Sequence, residues 1–178
     1  MIPVTDDPLA TVVALAEGGT VSFQDYFVRL QHGVPITGVA FEGADAARPA
    51  PGVLDALATA STVVIAPSNP IVSIGPLLAV PGVRDAIAAR RDRTVAVSPI
   101  IGGAALKGPA DRMLRELGHD VSVVGVARLY APLASALVID EVDAGLAAEG
   151  AAAGIRPVVA PTIMSTPERD RKSTRLNS

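Results

Sequence analysis

The sequence predicts an α/β chain built on a mostly parallel sheet with helices on both faces. Two observations predict it. From Val63 onward, short Val- and Ile-rich runs alternate with Ala-, Arg- and Glu-rich segments, the pattern of strands joined by crossover helices. Gly and Pro, at 16 and 15 residues, stand between the apolar runs as turn punctuation and form no low-complexity tract. Such alternation implies right-handed crossovers.

The elements follow in order. Residues 1–62 look different from the rest: Gly18-Gly19, Gly33, Gly38 and Gly43 break short mixed runs, and Phe23, Tyr26 and Phe27 recur at helical spacing. This stretch reads as an antiparallel or helical insertion upstream of the sheet, with the aromatic stripe as core. Residues 63–66 are a continuous apolar run, which suits a strand covered on both faces. A short helical turn is expected over 76–80. A helix follows over 83–90, where Val83, Ala86 and Ile87 share a face and Arg residues come late, as the helix dipole favours. Residues 94–98 form the next strand, and 109–117 a helix that Gly118 caps. Then come a strand over 136–140 with an acidic end, a helix over 144–153 and a last strand over 156–161. Residues 63–170 therefore hold the sheet proper. The basic, polar residues 171–178 read as a disordered or non-native tail.

Composition excludes several functions. The net charge is -3 and aromatic residues are 3% of the chain, so neither a basic stripe nor a base-stacking platform for nucleic acid is expected. No apolar run reaches the roughly 18 residues of a membrane span. There is no Cys, hence no thiolate metal site or thiol nucleophile. The N-terminus lacks the features of a secretory signal, and a cytoplasmic location is the expectation.

Ligands of open parallel sheets bind beyond the carboxyl ends of the strands. The loop Ala66-Pro67-Ser68-Asn69-Pro70-Ile71-Val72-Ser73-Ile74-Gly75-Pro76 follows the first parallel strand. Its prolines restrict the backbone, Ser68 and Asn69 offer donors to an anion, and N–H groups from Ser73 to Gly75 add more at a helix start. An ordinary tight turn has the same composition. A second loop, from Ser98 to Pro109, sets Gly102-Gly103 four residues before Lys107. Glycines admit a ligand close to the backbone and lysine neutralises phosphate, although no Walker motif is present. Asp6-Asp7 and Asp140-Glu141-Val142-Asp143 are candidate oxygen ligands for a hard cation. Asp140 is equally a natural N-cap. His32 and His119 have no catalytic spacing, and Gly-x-Ser-x-Gly is absent. Arg128 and Tyr130 are open to a ligand, a partner or a structural surface role.

Four ordered segments, 66–76, 80–84, 98–103 and 107–111, together resemble the 2-phospho-L-lactate transferase family of coenzyme F420 biosynthesis. The resemblance runs from about residue 2 to residue 167, with Thr5-Asp6-Asp7 and Pro161-Thr162-Ile163-Met164 adding to it. It implies a Rossmann-like sheet and a Mg2+-dependent homodimer. The implied reaction moves a phospholactyl or phosphoenolpyruvyl group from a guanosine diphosphate-linked donor to the deazaflavin precursor FO, and GMP leaves. Ser68, Asn69, Pro70, Ser73, Gly75, Ser98, Gly102, Gly103 and Lys107 are the expected donor-side residues. No catalytic base is assigned. Relatives of this kind begin with a strand and a glycine-rich loop that have no counterpart here, so the sheet is expected to be incomplete at the N-terminus and the chain to be a fragment. The alternatives are a non-catalytic regulator that binds a nucleotide or nucleotide sugar, and an inactive truncated product.

Overall fold

The computed structural model describes residues 2–163. The predicted tail at 171–178 lies outside the described residues, as does Met164.

The chain opens with three antiparallel strands, β1 (Ala10–Leu15), β2 (Thr20–Ser22) and β3 (Ile36–Glu42), ordered β2-β1-β3. Gly18 and Gly19 turn the first hairpin. The aromatic segment folds as one π-type turn, Asp25–Arg29, not as a longer helix. Only Tyr26 of the stripe is fully buried; Phe27 is 42% exposed. The helical period is real but too short to bury both sides, so the reading of the whole stripe as core is corrected.

After helix α1 (Val53–Thr59) the parallel sheet begins with β4 (Val63–Ile65). A π-type turn, Pro70–Ile74, then leads into α2 (Gly75–Ala79), α3 (Val83–Ala88) and β5 (Thr94–Val97). The two-residue strands β6 (Ile100–Ile101) and β7 (Ala104–Ala105) make a hairpin before α4 (Ala110–Glu116) and α5 (Val123–Tyr130). Strand β8 (Ala136–Ile139), a 3-10 turn over Glu141–Leu146, α6 (Ala147–Ala152) and β9 (Arg156–Val159) complete the described residues. The large sheet is parallel throughout, in the order β4-β5-β8-β9.

One sheet face carries Ile65, Ala96, Leu137 and Ile139, packed against Val83 and Ile87 of α3 and the apolar side of α5. Full burial of each large aliphatic side chain contributes about 1.5–3 kcal/mol. A smaller cluster of Val13, Tyr26, Ile36, Val72 and Met113 ties the antiparallel sheet to the loop after β4 and to α4. Val64, on the other face, is 63% exposed. The expected cover on both faces of this strand is therefore corrected: β4 is the edge strand, and no described element packs on Val64.

Helix α5 has no counterpart in the sequence reading. Its composition, Val-Val-Gly-Val-Ala-Arg-Leu-Tyr, has the β-branched bias of a strand. Burial on the sheet overrides that bias, and the Ser122 hydroxyl accepts from the Val124 and Gly125 N–H groups at its start. Gly125 is required there, since a Cβ would collide with the Asp120 backbone. Tyr130 is buried within the core, and burial pushes its hydroxyl pKa up. Arg128 is exposed and faces Asp120 at 3.5 Å. Arg90 and Arg91 are also structural. Arg90 donates to the carbonyls of Ala58 and Ala60, and Arg91 to those of Ala131 at 2.7 Å and Gly154 at 2.5 Å, so both satisfy carbonyls at helix ends. No helix among the described residues is long and apolar enough to cross a membrane.

Candidate functional site

A cavity of about 810 Å3 lies at the carboxyl ends of the parallel strands, a size usual for small-molecule sites. Strand ends and loops all reach it: Ser68 after β4, Val97 and Ser98 at the end of β5, Val138 of β8, and Pro161-Thr162 after β9. Lys107 is the one charged side chain among the described residues that line it.

Asn69 sits at the head of the Pro70–Ile74 turn. Its Oδ1 accepts from Ile71 N at 2.9 Å and Val72 N at 3.3 Å, so the side chain caps the turn. The Nδ2 group lies 3.5 Å from the sulfur of the buried Met113, a weak acceptor, and Asn69 lines the cavity. Ser73 is exposed on the cavity wall. Pro70 and Gly75 line a second, smaller cavity of about 430 Å3 instead. Pro70 is buried, and at Gly75 a Cβ would stand 2.7 Å from the Phe41 ring, so this glycine allows close packing between α2 and β3.

Ser98 is buried, and its hydroxyl is occupied locally: it donates to the Ile100 carbonyl at 2.9 Å and accepts from Ile100 N at 3.2 Å. Gly102 and Gly103 are the turn of the β6–β7 hairpin, both at positive φ. Neither lines the cavity, whereas their flanking residues Ile101 and Ala105 do. The Asp143 carboxylate accepts from Gly102 N at 3.0 and 3.2 Å, which fixes the hairpin that leads to Lys107.

Asp140 is buried at the end of β8. Its carboxylate caps the following turn through Val142 N at 3.2 Å and accepts from Thr162 N at 2.8 Å and Thr162 Oγ1 at 2.9 Å. These donors, Thr162 N first, hold the Asp140 carboxyl below the usual carboxylate range against the opposing effect of burial. Asp140 and Asp143 are thus engaged by backbone donors. Asp7 accepts from Arg48 N at 2.8 Å, and Asp6 is exposed. Among the described residues no group of three acidic or histidine side chains stands together as a metal centre.

Two lining residues, Phe23 and Phe27, come from the antiparallel region and were read from sequence only as core. Their i, i+4 spacing was the available signal, because it places both rings on one side of a helical turn. The turn that follows is strained: Gln31 and His32 have φ of 49° and 43°, a conformation that costs non-glycine residues on the order of 1–3 kcal/mol each. Arg112 holds it by donating to the His32 carbonyl at 2.6 Å while pairing with Glu116 at 2.5 Å. Glu116 in turn accepts from Ile36 N at 2.9 Å.

Residues 1–164 match the family described as 2-phospho-L-lactate transferase CofD. A phosphoenolpyruvate transferase of Streptomyces griseus is 42% identical, with 93% of this chain and 53% of that protein covered. One from Thermobifida fusca is 44% identical, with 95% and 52% covered. A 2-phospho-L-lactate transferase of Methanosarcina acetivorans is 38% identical, with 97% and 55% covered. The chain thus spans about half the length of the curated relatives it matches. Among solved structures, a UPF0052 family protein of Bacillus halodurans superposes with a TM-score of 0.64 at 15% identity, covering 99% of this chain and 60% of the other. That likeness shows the fold.

Proposed function

The chain belongs to the 2-phospho-L-lactate transferase family, and on that premise we propose that it supplies the donor-side loops of a transferase in coenzyme F420 biosynthesis. The group moved is phospholactyl or phosphoenolpyruvyl. Its donor is linked to guanosine diphosphate, and its acceptor is the terminal hydroxyl of the deazaflavin precursor FO. The acceptor oxygen forms a bond to the phosphorus of the transferred group, the bond from that phosphorus to the bridging oxygen breaks, and GMP departs with the bond's electron pair. The hydroxyl proton passes to solvent or to a base that we leave unassigned.

The observation that carries this reading is the cavity at the strand ends, where Ser68, Asn69 and Ser73 converge with Lys107 as the single lining charge. Transfer of this kind depends chiefly on positioning and on neutralising developing charge. Lys107 would offset charge on the diphosphate, and the two serines with Asn69 Nδ2 would donate to its oxygens. The apolar remainder of the wall would limit water near the reacting phosphorus. Mg2+ belongs to this proposal as an ion that arrives with the diphosphate. A homodimer and the absence of nucleic-acid partners are part of the same reading.

The test is GMP release by the chain restored to the full length of its relatives, with donor, FO and Mg2+ present, followed by chromatography. We expect FO-dependent GMP release that falls about tenfold or more in Lys107→Ala, in line with the loss of one charge-stabilising group. No FO-dependent release from the unsubstituted chain overturns the proposal.

A further inference from the structure

We infer that the smaller cavity, behind the Pro70–Ile74 turn, is a second binding site, for a compact anion that carries a small apolar body. It is separate from the cavity at the strand ends, and the inference does not rest on the transferase reading. The turn divides the two spaces: Asn69, Val72 and Ser73 line the large cavity, whereas Pro70, Ile71 and Gly75 line the small one.

Its volume of about 430 Å3 falls within the range usual for small-molecule sites. Most of the wall is apolar, with Phe41 from β3, Leu78 from α2 and Leu129 from α5. Three polar side chains interrupt it: Arg84, His119 and Tyr130. Each of them can donate a hydrogen bond, and no acidic residue stands among the described lining residues. Arg84 is exposed and belongs to no ion pair among the described residues, so its guanidinium fork is open to an incoming anion.

Tyr130 supplies an independent observation. It is 2% exposed, and its hydroxyl has no hydrogen-bond partner among the described residues. Buried hydroxyls are nearly always satisfied, so an orphan one on a residue that lines a cavity points to an acceptor from outside the chain. Burial keeps this hydroxyl protonated and therefore a donor. An anionic head satisfies a hydroxyl, a guanidinium and an imidazole N–H alike, and the apolar wall takes the body attached to it. A bare inorganic ion would leave that wall uncovered.

The experiment uses the chain restored to the full length of its relatives, with labelled Ile and Leu methyl groups, followed by NMR. It is titrated with benzoate and with phenyl phosphate, which separate a carboxylate from a phosphate head, and with benzyl alcohol as the uncharged control. We expect saturable shifts at Ile71, Leu78 and Leu129 with at least one of the two anions. Arg84→Gln should weaken that binding about tenfold, as loss of a charged hydrogen-bond donor does. Tyr130→Phe should weaken it as well, with a melting temperature equal to or above that of the unsubstituted protein. Shifts absent from these methyls or confined to Ile101 and Leu106 of the large cavity overturn the site. So do equal affinity for benzyl alcohol and undiminished anion affinity in Arg84→Gln. A melting temperature that falls in Tyr130→Phe would show that the hydroxyl already has a partner, and overturns it too.

Discussion

The Asn69 side chain divides its work between two ends. Its oxygen caps the Pro70–Ile74 turn through two backbone N–H groups, and its Nδ2 group, 3.5 Å from the Met113 sulfur, is the donor end of a residue that lines the cavity. A substitution that removes both ends mixes two effects. Asn69→Ala should cost roughly 0.5–2 kcal/mol, as loss of a cap does, besides weakening donor binding. Asn69→Asp keeps the acceptor but puts a carboxylate where the amide donor stood. We expect near-native urea midpoints for Asn69→Asp together with GDP affinity at least tenfold lower. Unchanged GDP affinity in Asn69→Asp would remove Asn69 from the site. From sequence, Asn69 was legible as a polar loop residue, but its cap was not, because a cap is defined by where the next two N–H groups point.

At the scale of elements, two carboxylates after β8 hold neighbouring segments in register. Asp143 fixes the β6–β7 hairpin through Gly102, and Asp140 ties the segment after β9 to the end of β8 through Thr162. Asp140 has a depressed folded-state pKa. Its ionised form therefore stabilises the fold fully above the unfolded value of about 3.9, and that contribution is lost as pH falls from there through the lower folded value. Asp140→Asn should cost about 1–3 kcal/mol at neutral pH and flatten the decline of stability below about pH 4. Urea unfolding across that range measures both; equal acid slopes in the two proteins would show that other groups govern the decline. The strand runs 63–66, 94–98, 136–140 and 156–161 were legible because apolar continuity is local. Helix α5 was not, because its strand-like composition is overridden by burial of Val123, Val124, Val126 and Tyr130. The hairpin of β6 and β7 was equally hidden, since two-residue strands leave no periodic trace.

For the whole molecule, the edge that β4 forms among the described residues has consequences of its own. Strand β4 ends the order β4-β5-β8-β9 and exposes 63% of Val64. Unpaired, apolar edges template association. Val64→Lys should lower concentration-dependent self-association of the 178-residue chain, seen by light scattering, with the melting temperature nearly unchanged. Equal scattering from both proteins would show that the edge is not where copies meet. By itself the sequence determined the α/β class, the parallel order of strands and helices, and the family, since these depend on local apolar runs and ordered motifs. It also singled out the loops after β4 and β5 as the candidate site. Only the tertiary structure decided which candidates share one cavity. Ser68, Asn69, Ser73, Ser98 and Lys107 line it, with the Ser98 hydroxyl occupied locally, while Pro70, Gly75, Gly102 and Gly103 shape its surroundings. It also brought Phe23 and Phe27 from the antiparallel region to the same wall. The physical reason is that a binding site is set by distances across the chain, and no local pattern encodes which side of a turn faces a cavity and which faces the core.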